Sequence, residues 1–239
     1  MNLPTESDQP DPRLAELRAG LTGVRTRIRT AAEGAGRDPA DLTLVVVTKT
    51  YPADDVRRLA GLGVREVGES RDQEAAPKAD ALADLGLRWH FVGRLQSNKA
   101  RHVARYADVV HSLDRDSLVR PLSAGATAAG RTLECLLQVS LDDDPSRGGV
   151  AAGGLAGLAD AVAAAEGLVL RGVMAVAPLG ADPDAAFARL ADLADGLRGA
   201  HPGATWVSAG MSGDLEAAVR HGATHLRVGS AVLGNRPRP

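Results

Sequence analysis

The sequence predicts an α/β fold: a single (β/α)8 barrel of the TIM type with one extra helix at its N-terminal end. Three observations favour this fold. Eight short apolar runs alternate with helical patterns, the length of 239 residues suits one such barrel, and no Pro/Gly/Ser-rich linker divides the chain. A doubly wound open sheet alternates in the same way, so the number of strands decides between the two folds.

The barrel domain is predicted to cover residues 13–239, after a flexible tail at residues 1–12. The tail is polar, contains three prolines and lacks the charged-then-apolar pattern of an export signal. No apolar stretch approaches membrane-spanning length. We therefore expect a cytoplasmic protein without a membrane partner.

The first regular element is predicted to be an amphipathic helix that opens at Asp11 and Pro12. Aspartate is a favoured N-cap, and proline is favoured at the first helical position. Apolar residues then recur on one helix face at Leu14, Leu17, Leu21, Val24 and Ile28.

The eight candidate strands are apolar runs that each end at a polar or glycine-containing turn. The first is a continuous β-branched run, as parallel strands covered on both faces require. The strands are predicted at residues 42–48, 64–67, 88–92, 107–112, 133–139, 168–174, 204–208 and 224–228. The longest irregular stretch, residues 141–154, follows the fifth strand and is either a mobile lid or a disordered surface loop.

Composition and charge favour a small-molecule ligand. The net charge is -2, with arginine and aspartate mixed along the chain, so there is no broad basic field for nucleic acid. No His/Cys/carboxylate cluster has metal-ligand spacing, and we expect no metal site. The single cysteine, Cys135, lies in an apolar run and is predicted to be a buried structural thiol.

Lys49 is the residue that most strongly suggests chemistry. It follows the first apolar run, and the working face of such barrels is built at the C-terminal ends of the strands. Partial desolvation there disfavours the ammonium form, which is what a Schiff-base amine needs. The alternative is a surface lysine whose stem lies along the strand end.

The segments after the seventh and eighth strands, residues 207–214 and 226–231, predict a phosphate site. Both are rich in small residues and open a helix, where unpaired N–H groups and the helix dipole favour a dianion. The alternative is a pair of ordinary turns in which glycine and serine serve only as caps.

Three residues within predicted strands have two interpretations each. Arg227 lies in an otherwise buried strand, so its permanent charge must be paired in a salt bridge or face a ligand. Met174 is either core or ligand contact, and core is the commoner role. His90 is either an acid or base, or, more commonly, a hydrogen-bonded core residue.

Five segments together resemble the pyridoxal phosphate homeostasis protein family, single-domain relatives of the alanine racemase N-terminal barrel. They span residues 42 to 234 in the family's order, which makes the combination more specific than any one segment. The segments are Val45–Thr50, Val67–Ser70, Trp89–Lys99, Val207–Glu216 and Arg227–Gly234.

The resemblance implies that pyridoxal 5'-phosphate (PLP) is the cofactor and is held as a Schiff base on Lys49. It implies that Arg227 reaches the pyridine nitrogen, that Met174 lies near the ring, and that His90 and Asn98 lie at the rim. The residues implied to hold the phosphate are Ser208, Gly210, Gly229 and Ser230. Ser70 departs from the family pattern, which often has asparagine there, but the lysine, phosphate and arginine core is intact.

This arrangement favours a monomeric PLP carrier or regulator over an enzyme, with PLP-dependent apo-enzymes as candidate recipients. PLP is the better electron sink when its nitrogen is protonated, whereas an arginine donor keeps that nitrogen unprotonated. Racemases of related fold add a second domain with a catalytic tyrosine. Two alternatives stay open: an amino-acid racemase that uses Tyr51 or His90 as its second base, and a lysine Schiff-base aldolase without any cofactor.

Overall fold

The computed structural model describes residues 11–142 and 148–234. Within them, eight parallel strands pair in sequence order and close into one barrel, with the last strand paired to the first. The strands are β1 (Thr43–Val47), β2 (Glu66–Glu69), β3 (Arg88–Phe91), β4 (Val109–Leu113), β5 (Leu133–Gln138), β6 (Leu168–Met174), β7 (Trp206–Ser208) and β8 (His225–Val228).

The α-helices of the described residues follow the strands on the outside of the barrel, except for the first, which precedes β1. They are α1 (Pro12–Gly34), α2 (Ala53–Gly61), α3 (Asp72–Ala81), α4 (Ser97–Val103), α5 (Val119–Ala128), α6 (Leu155–Ala163), α7 (Pro183–Ala200), α8 (Leu215–Arg220) and α9 (Ser230–Leu233).

The predicted barrel is confirmed, and each predicted strand has its counterpart, with ends that differ by at most two residues. The largest shift is in β2, which begins at Glu66 and extends to Glu69. Val64 is buried but precedes the hydrogen-bonded ladder, while Gly68 and Glu69 continue the ladder without being apolar. Apolar content therefore marks burial, and only approximately the extent of pairing.

The extra N-terminal helix is also confirmed. Asp11 caps α1, since its carboxylate accepts hydrogen bonds from the N–H groups of Arg13 (2.9 Å) and Leu14 (3.1 Å). The helix packs against α2, α8 and α9. At Gly20 a Cβ atom would lie 2.4 Å from the carbonyl oxygen of Val232, so this glycine permits the close approach of α1 to α9.

Three predicted segments fall partly outside the described residues, and for the barrel at 13–239 the residues outside are 143–147 and 235–239. Of the tail, residues 1–10 are outside; of the loop at 141–154, residues 143–147 are outside. The described end of that loop is ordered by a bridge between Val150 and Val139 and by a 3-10 turn at Ala152–Gly154.

The barrel interior is more polar than the branched-residue core that such barrels usually have. Buried polar side chains from several strands include His90, His111, Ser208, His225 and Arg227. Cys135 is buried as predicted, and burial raises the pKa of its thiol to about 12.

Two features are absent from the described residues. None of their helices is both long and apolar enough to cross a membrane. The same residues contain no group of three or more His, Cys, Asp or Glu side chains placed to hold a metal ion.

Candidate functional site

A cavity of about 390 Å³ opens at the C-terminal end of the barrel. This volume falls in the range of about 300–1,000 Å³ that is usual for small-molecule sites. The loops after β1, β7 and β8 supply most of its polar lining: Lys49, Tyr51, Ser212, Gly213, Gly229 and Ser230, together with Arg227 of β8 itself.

The lining of this cavity is positively charged. Among the described residues that line it, Lys49 and Arg227 are cationic and none is acidic. Charges of one sign in a concave site attract ligands of the opposite sign. The site therefore suits an anionic small molecule, and a phosphorylated aldehyde fits both the amine and the charge.

The backbone around Lys49 is fixed on both sides. The hydroxyl of Thr48 donates to Oε1 of Glu69 at 2.7 Å, and both residues are buried. On the other side, Thr50 has φ 71°, and its N–H donates to Oε2 of Glu74 at 2.9 Å. Lys49, which is partly buried, is thus placed at the strand end by two carboxylates from the neighbouring β/α unit.

Glu69 forms a buried ion pair behind this segment. Nζ of Lys78 donates to Oε1 of Glu69 at 2.7 Å and to the carbonyl of Thr48 at 3.0 Å. Burial raises the pKa of Glu69 above its ordinary value, although the hydrogen bonds from Lys78 and Thr48 act in the opposite direction.

Arg227 lies at the floor of the cavity and is buried. Its Nη1 donates to Oγ of Ser208 at 2.6 Å and its Nη2 donates to the carbonyl of Ala175 at 2.9 Å. Both acceptors are uncharged, so the salt bridge that the sequence left open is absent from the described residues. Burial lowers the pKa of Arg227 to about 10, which leaves the guanidinium charged at neutral pH.

The loops after β7 and β8 meet at the cavity wall. Oγ of Ser230 donates to Oγ of Ser212 at 3.2 Å, and the N–H of Ala231 donates to the same oxygen at 3.3 Å. Among the hydrogen bonds of the described residues, the N–H groups of Gly213 and Ser230 find no acceptor. Since α9 has only four residues, these free N–H groups, more than a helix dipole, would bind a phosphate.

Of the four residues that the resemblance implied to hold the phosphate, Gly229 and Ser230 line the cavity, whereas Ser208 and Gly210 do not. Ser208 is fully buried, with its hydroxyl hydrogen-bonded to Arg227. Gly210 is also buried, at φ 87°, where a Cβ would lie 2.7 Å from that of Ala218. Ser212 and Gly213, four and three residues further along, occupy the cavity wall instead.

Two further residues lie deeper in the barrel than the cavity lining. Met174 packs against Val109 and Leu136 inside the barrel, and Val176 lines the cavity. The side chain of His90, which the resemblance implied to lie at the rim, is buried inside the barrel.

Asn98 is exposed near the start of α4, and it lines neither this cavity nor a second cavity. The larger of these, about 780 Å³, lies beside the first and is lined by Ser70, Arg94, Lys99 and Arg115 among others. Ser70, the position that departs from the family pattern, therefore faces this second cavity.

Sequence reasoning missed two lining residues, Ser212 and Gly213, and two polar partners of the His90 ring, Glu66 and His111. Ser212 and Gly213 were inside the segment that predicted the phosphate site, and their position beyond the strand end was the available signal. Glu66 and His111 gave no signal, because they lie at the start of one strand and inside the apolar run of another.

Comparisons with known proteins agree with this geometry. The chain matches the family described as "Alanine racemase, N-terminal domain" over residues 21–237. The pyridoxal phosphate homeostasis protein of Mycobacterium tuberculosis H37Rv is 45% identical over 249 residues, which cover 96% of each chain. That of Escherichia coli K12 is 36% identical over 231 residues, covering 92% of this chain and 97% of the relative.

A solved structure gives the same result. PipY of Synechococcus elongatus PCC7942, determined with PLP bound, superposes with a TM-score of 0.81 at 34% identity and covers 91% of this chain and 100% of PipY. The resemblance carried by the five sequence segments is thereby confirmed. The chain belongs to the pyridoxal phosphate homeostasis protein family, whose barrel is the alanine racemase N-terminal domain.

Proposed function

We propose that this protein binds PLP as a Schiff base on Lys49 and takes part in PLP homeostasis. The observation that supports this most is that Lys49 and Arg227 line one cavity together with the free N–H groups of Gly213 and Ser230. In forming the Schiff base, the ε-amine adds to the aldehyde carbon, a C=N bond forms and water leaves. PLP bound to PipY supports the choice of cofactor.

Different lining residues would bind different groups of PLP. The N–H groups of Gly213 and Ser230, with the hydroxyls of Ser212 and Ser230, would hold the phosphate. Arg227 would donate to the pyridine nitrogen. In this proposal Ser208 and Gly210 act one layer below the phosphate, because Ser208 anchors Arg227 and the carbonyl of Gly210 accepts the backbone N–H of Arg227 at 2.9 Å.

We propose a carrier or regulator without robust catalysis. PLP supplies an electron sink for amino-acid chemistry when its nitrogen is protonated, and an arginine donor opposes that protonation. Of the two residues considered as a racemase base, the hydroxyl of Tyr51 donates to the carbonyl of Gly234 at 2.8 Å. The other, His90, is enclosed in the barrel. Neither position favours the racemase alternative.

Borohydride trapping tests the lysine. The sequence has three lysines, Lys49, Lys78 and Lys99, so peptide mapping after reduction identifies the modified one without ambiguity. We expect the visible band of PLP-loaded protein to be lost in Lys49→Ala. The matched control is Lys99→Ala, since Lys99 is partly exposed, has its Nζ 3.6 Å from Oδ2 of Asp72 and does not line the cavity that Lys49 lines. This variant should keep the band.

If the reduced PLP adduct maps to Lys78 or Lys99, the assignment of the Schiff base to Lys49 is wrong. Protein that forms a Schiff base with a phosphorylated sugar but no coloured adduct with PLP would favour the aldolase alternative. Steady turnover of either alanine enantiomer by the purified protein would favour the racemase.

The proposal extends to a cytoplasmic monomer that delivers PLP to apo-enzymes. Light scattering gives the mass in solution, and cell fractionation gives the location. For delivery, the loaded protein is mixed with an apo PLP-dependent enzyme, and recovery of activity is compared with the same concentration of free PLP. Recovery no faster than the rate of PLP release into solution would exclude direct transfer.

A further inference from the structure

A series of hydrogen-bonded side chains crosses the barrel interior and ends at Arg227. Each link joins neighbours at hydrogen-bond distance. The links are Oε2 of Glu66 to Nε2 of His90 (2.5 Å), Nδ1 of His90 to Nε2 of His111 (2.8 Å), Nδ1 of His111 to Oγ of Ser208 (2.8 Å), and Oγ of Ser208 to Nη1 of Arg227 (2.6 Å). We call Glu66, His90, His111 and Ser208 the interior relay.

The interior relay connects the two ends of the barrel. Glu66 opens β2 at the N-terminal end, where its side chain keeps 25% exposure. The middle members, His90, His111 and Ser208, are at most 1% exposed and come from three further strands. Arg227 belongs to β8 and lines the cavity at the opposite end. Five strands thus contribute one side chain each to a continuous polar path.

Only one direction of hydrogen bonding fits neutral histidines. A guanidinium can only donate, so Ser208 accepts from Arg227 and has its own proton free for Nδ1 of His111. His111 then donates through Nε2 to His90, which donates through Nε2 to the carboxylate of Glu66. In the opposite direction Nδ1 of His111 would donate, and His90 would need protons on both nitrogens.

The surroundings favour the neutral forms. Burial lowers the pKa of His90, and burial together with nearby positive charge lowers that of His111 well below its ordinary value. Burial acts to raise the pKa of Glu66, but the hydrogen bond from His90 and the nearby charges lower it overall, so Glu66 is an ionised acceptor. His225, whose ring lies 6.4 Å from both relay rings, is bonded instead to Thr224.

We propose that the interior relay is a positioning device that holds Arg227 at the cavity floor as a fixed hydrogen-bond donor. Within the described part of the chain, Ser208 accepts one of the two hydrogen bonds that the guanidinium donates, and His111 and His90 fix which way the Ser208 hydroxyl points. The consequence for the ligand rests on the proposed function: a guanidinium that cannot turn away keeps the pyridine nitrogen unprotonated.

The proton order is tested on the protein without PLP. Long-range ¹H–¹⁵N spectra of histidine-labelled protein at neutral pH report the tautomer of each ring, and single substitutions assign the signals. We expect His90 and His111 to be neutral and protonated at Nε2. A charged ring, or a proton on Nδ1 of His111, would overturn the relay whether or not PLP binds.

The positioning role is tested with a matched pair at His111. His111→Leu ends the relay, whereas the amide of His111→Gln can still accept from Ser208 and donate to His90. We expect the Leu variant to bind PLP about tenfold more weakly, as loss of support for a charged hydrogen bond implies, and to shift the visible band. The Gln variant should recover both properties.

Thermal unfolding establishes that each variant is folded, and Ser208→Ala, a smaller change, replaces His111→Leu if the latter is not. A folded variant of either kind with wild-type PLP affinity and spectrum would overturn the positioning role. Failure of the proposed function looks different, because wild-type protein would then give no coloured adduct on Lys49.

Discussion

The backbone N–H of Thr50 donates to Oε2 of Glu74 at 2.9 Å while Thr50 itself lies at φ 71°. A β-branched residue is unfavourable in this left-handed region, and such strain persists only where the surroundings hold it. Here the carboxylate at the start of α3 holds it, directly beside Lys49. The reactive lysine of the proposal therefore lies in a turn with stored strain.

Relief of this strain should stabilise the protein. Asparagine tolerates the left-handed region better than threonine does, and Thr50 is exposed, so Thr50→Asn should raise the free energy of unfolding by about 1 kcal/mol. Urea denaturation measures the change. Thr30→Asn, the same substitution at an exposed position inside α1, is the control and should have little effect. Equal responses of the two variants would show that Thr50 is not strained.

Gly172 should tolerate no side chain. It lies in β6 at φ 151°, and a Cβ atom would fall 1.9 Å from the carbonyl oxygen of Trp206 on the neighbouring strand. We expect Gly172→Ala to cost at least about 3 kcal/mol or to prevent folding, as other severe core clashes do. Circular dichroism and the denaturation midpoint measure it.

Gly196 provides the control for that substitution. It lies in α7 with no atom within 4 Å of the added Cβ, so Gly196→Ala should stabilise the protein by about 0.5–1 kcal/mol through helix propensity. Wild-type stability of Gly172→Ala would contradict the tight packing of β6 on β7.

His225 should contribute to acid sensitivity. Burial lowers its pKa to about 3, against about 6.5 for an unfolded chain. Between these values the unfolded state binds a proton that the folded state excludes, so stability is full above pH 6.5 and falls as the pH falls toward 3. Between pH 7 and pH 5 this one group should cost about 2 kcal/mol.

Urea denaturation of His225→Gln at both pH values tests this expectation. The variant should lose about 2 kcal/mol less than the wild type between pH 7 and pH 5. His102→Gln, at a half-exposed side chain, controls for the loss of a histidine as such. If His225→Gln loses as much unfolding free energy between pH 7 and pH 5 as the wild type does, the loss does not come from His225.

The contact between Asp55 and Arg13 should anchor α1 and, through it, one wall of the cavity. Asp55 is buried and accepts from Nε and Nη2 of Arg13, the latter at 2.8 Å. The Arg13 guanidinium also lies 5.6 Å from the ring centre of Tyr51, a lining residue. Asp55→Asn should cost about 2 kcal/mol, because it weakens a partly buried charged pair.

The neighbouring residue gives a matched control. Asp54 is exposed, and Asp54→Asn should change the free energy of unfolding by less than about 0.5 kcal/mol. Both variants are compared by urea denaturation. If Asp55→Asn and the wild type have the same free energy of unfolding, the ion pair between Asp55 and Arg13 contributes no net stability.

The strands were predictable because parallel strands in a barrel are covered on both faces and leave continuous apolar runs, as at Thr43–Val47. Lys49 and the Ser230 turn were predictable for a related reason. Both follow a strand end, and strand ends on one side of a barrel meet at the same face.

Depth along a strand was not predictable. Ser208 and Ser212 are four residues apart in one polar segment, yet the first lies inside the barrel and the second on the cavity wall. Alternation decides whether a side chain points into the barrel. The residue at which the strand ends decides how far that side chain lies from the cavity. An error of one or two residues in either therefore exchanges an interior residue for a lining one.

The interior relay was not predictable at all. Its members stand up to 142 positions apart, and each alone has an ordinary explanation as a core histidine, a capping serine or a surface glutamate. Only closure of the sheet brings β2, β3, β4 and β7 to a common axis.

The pairing of β8 with β1 has a further consequence for encounters between copies of the protein. An open sheet has edge strands whose unpaired N–H and C=O groups can pair with another sheet. A closed barrel has no edge strand. Within the described residues every strand has a partner on both sides. Self-association of this protein must therefore use helix surfaces or loops, and the concentrated folded protein should resist strand-to-strand aggregation.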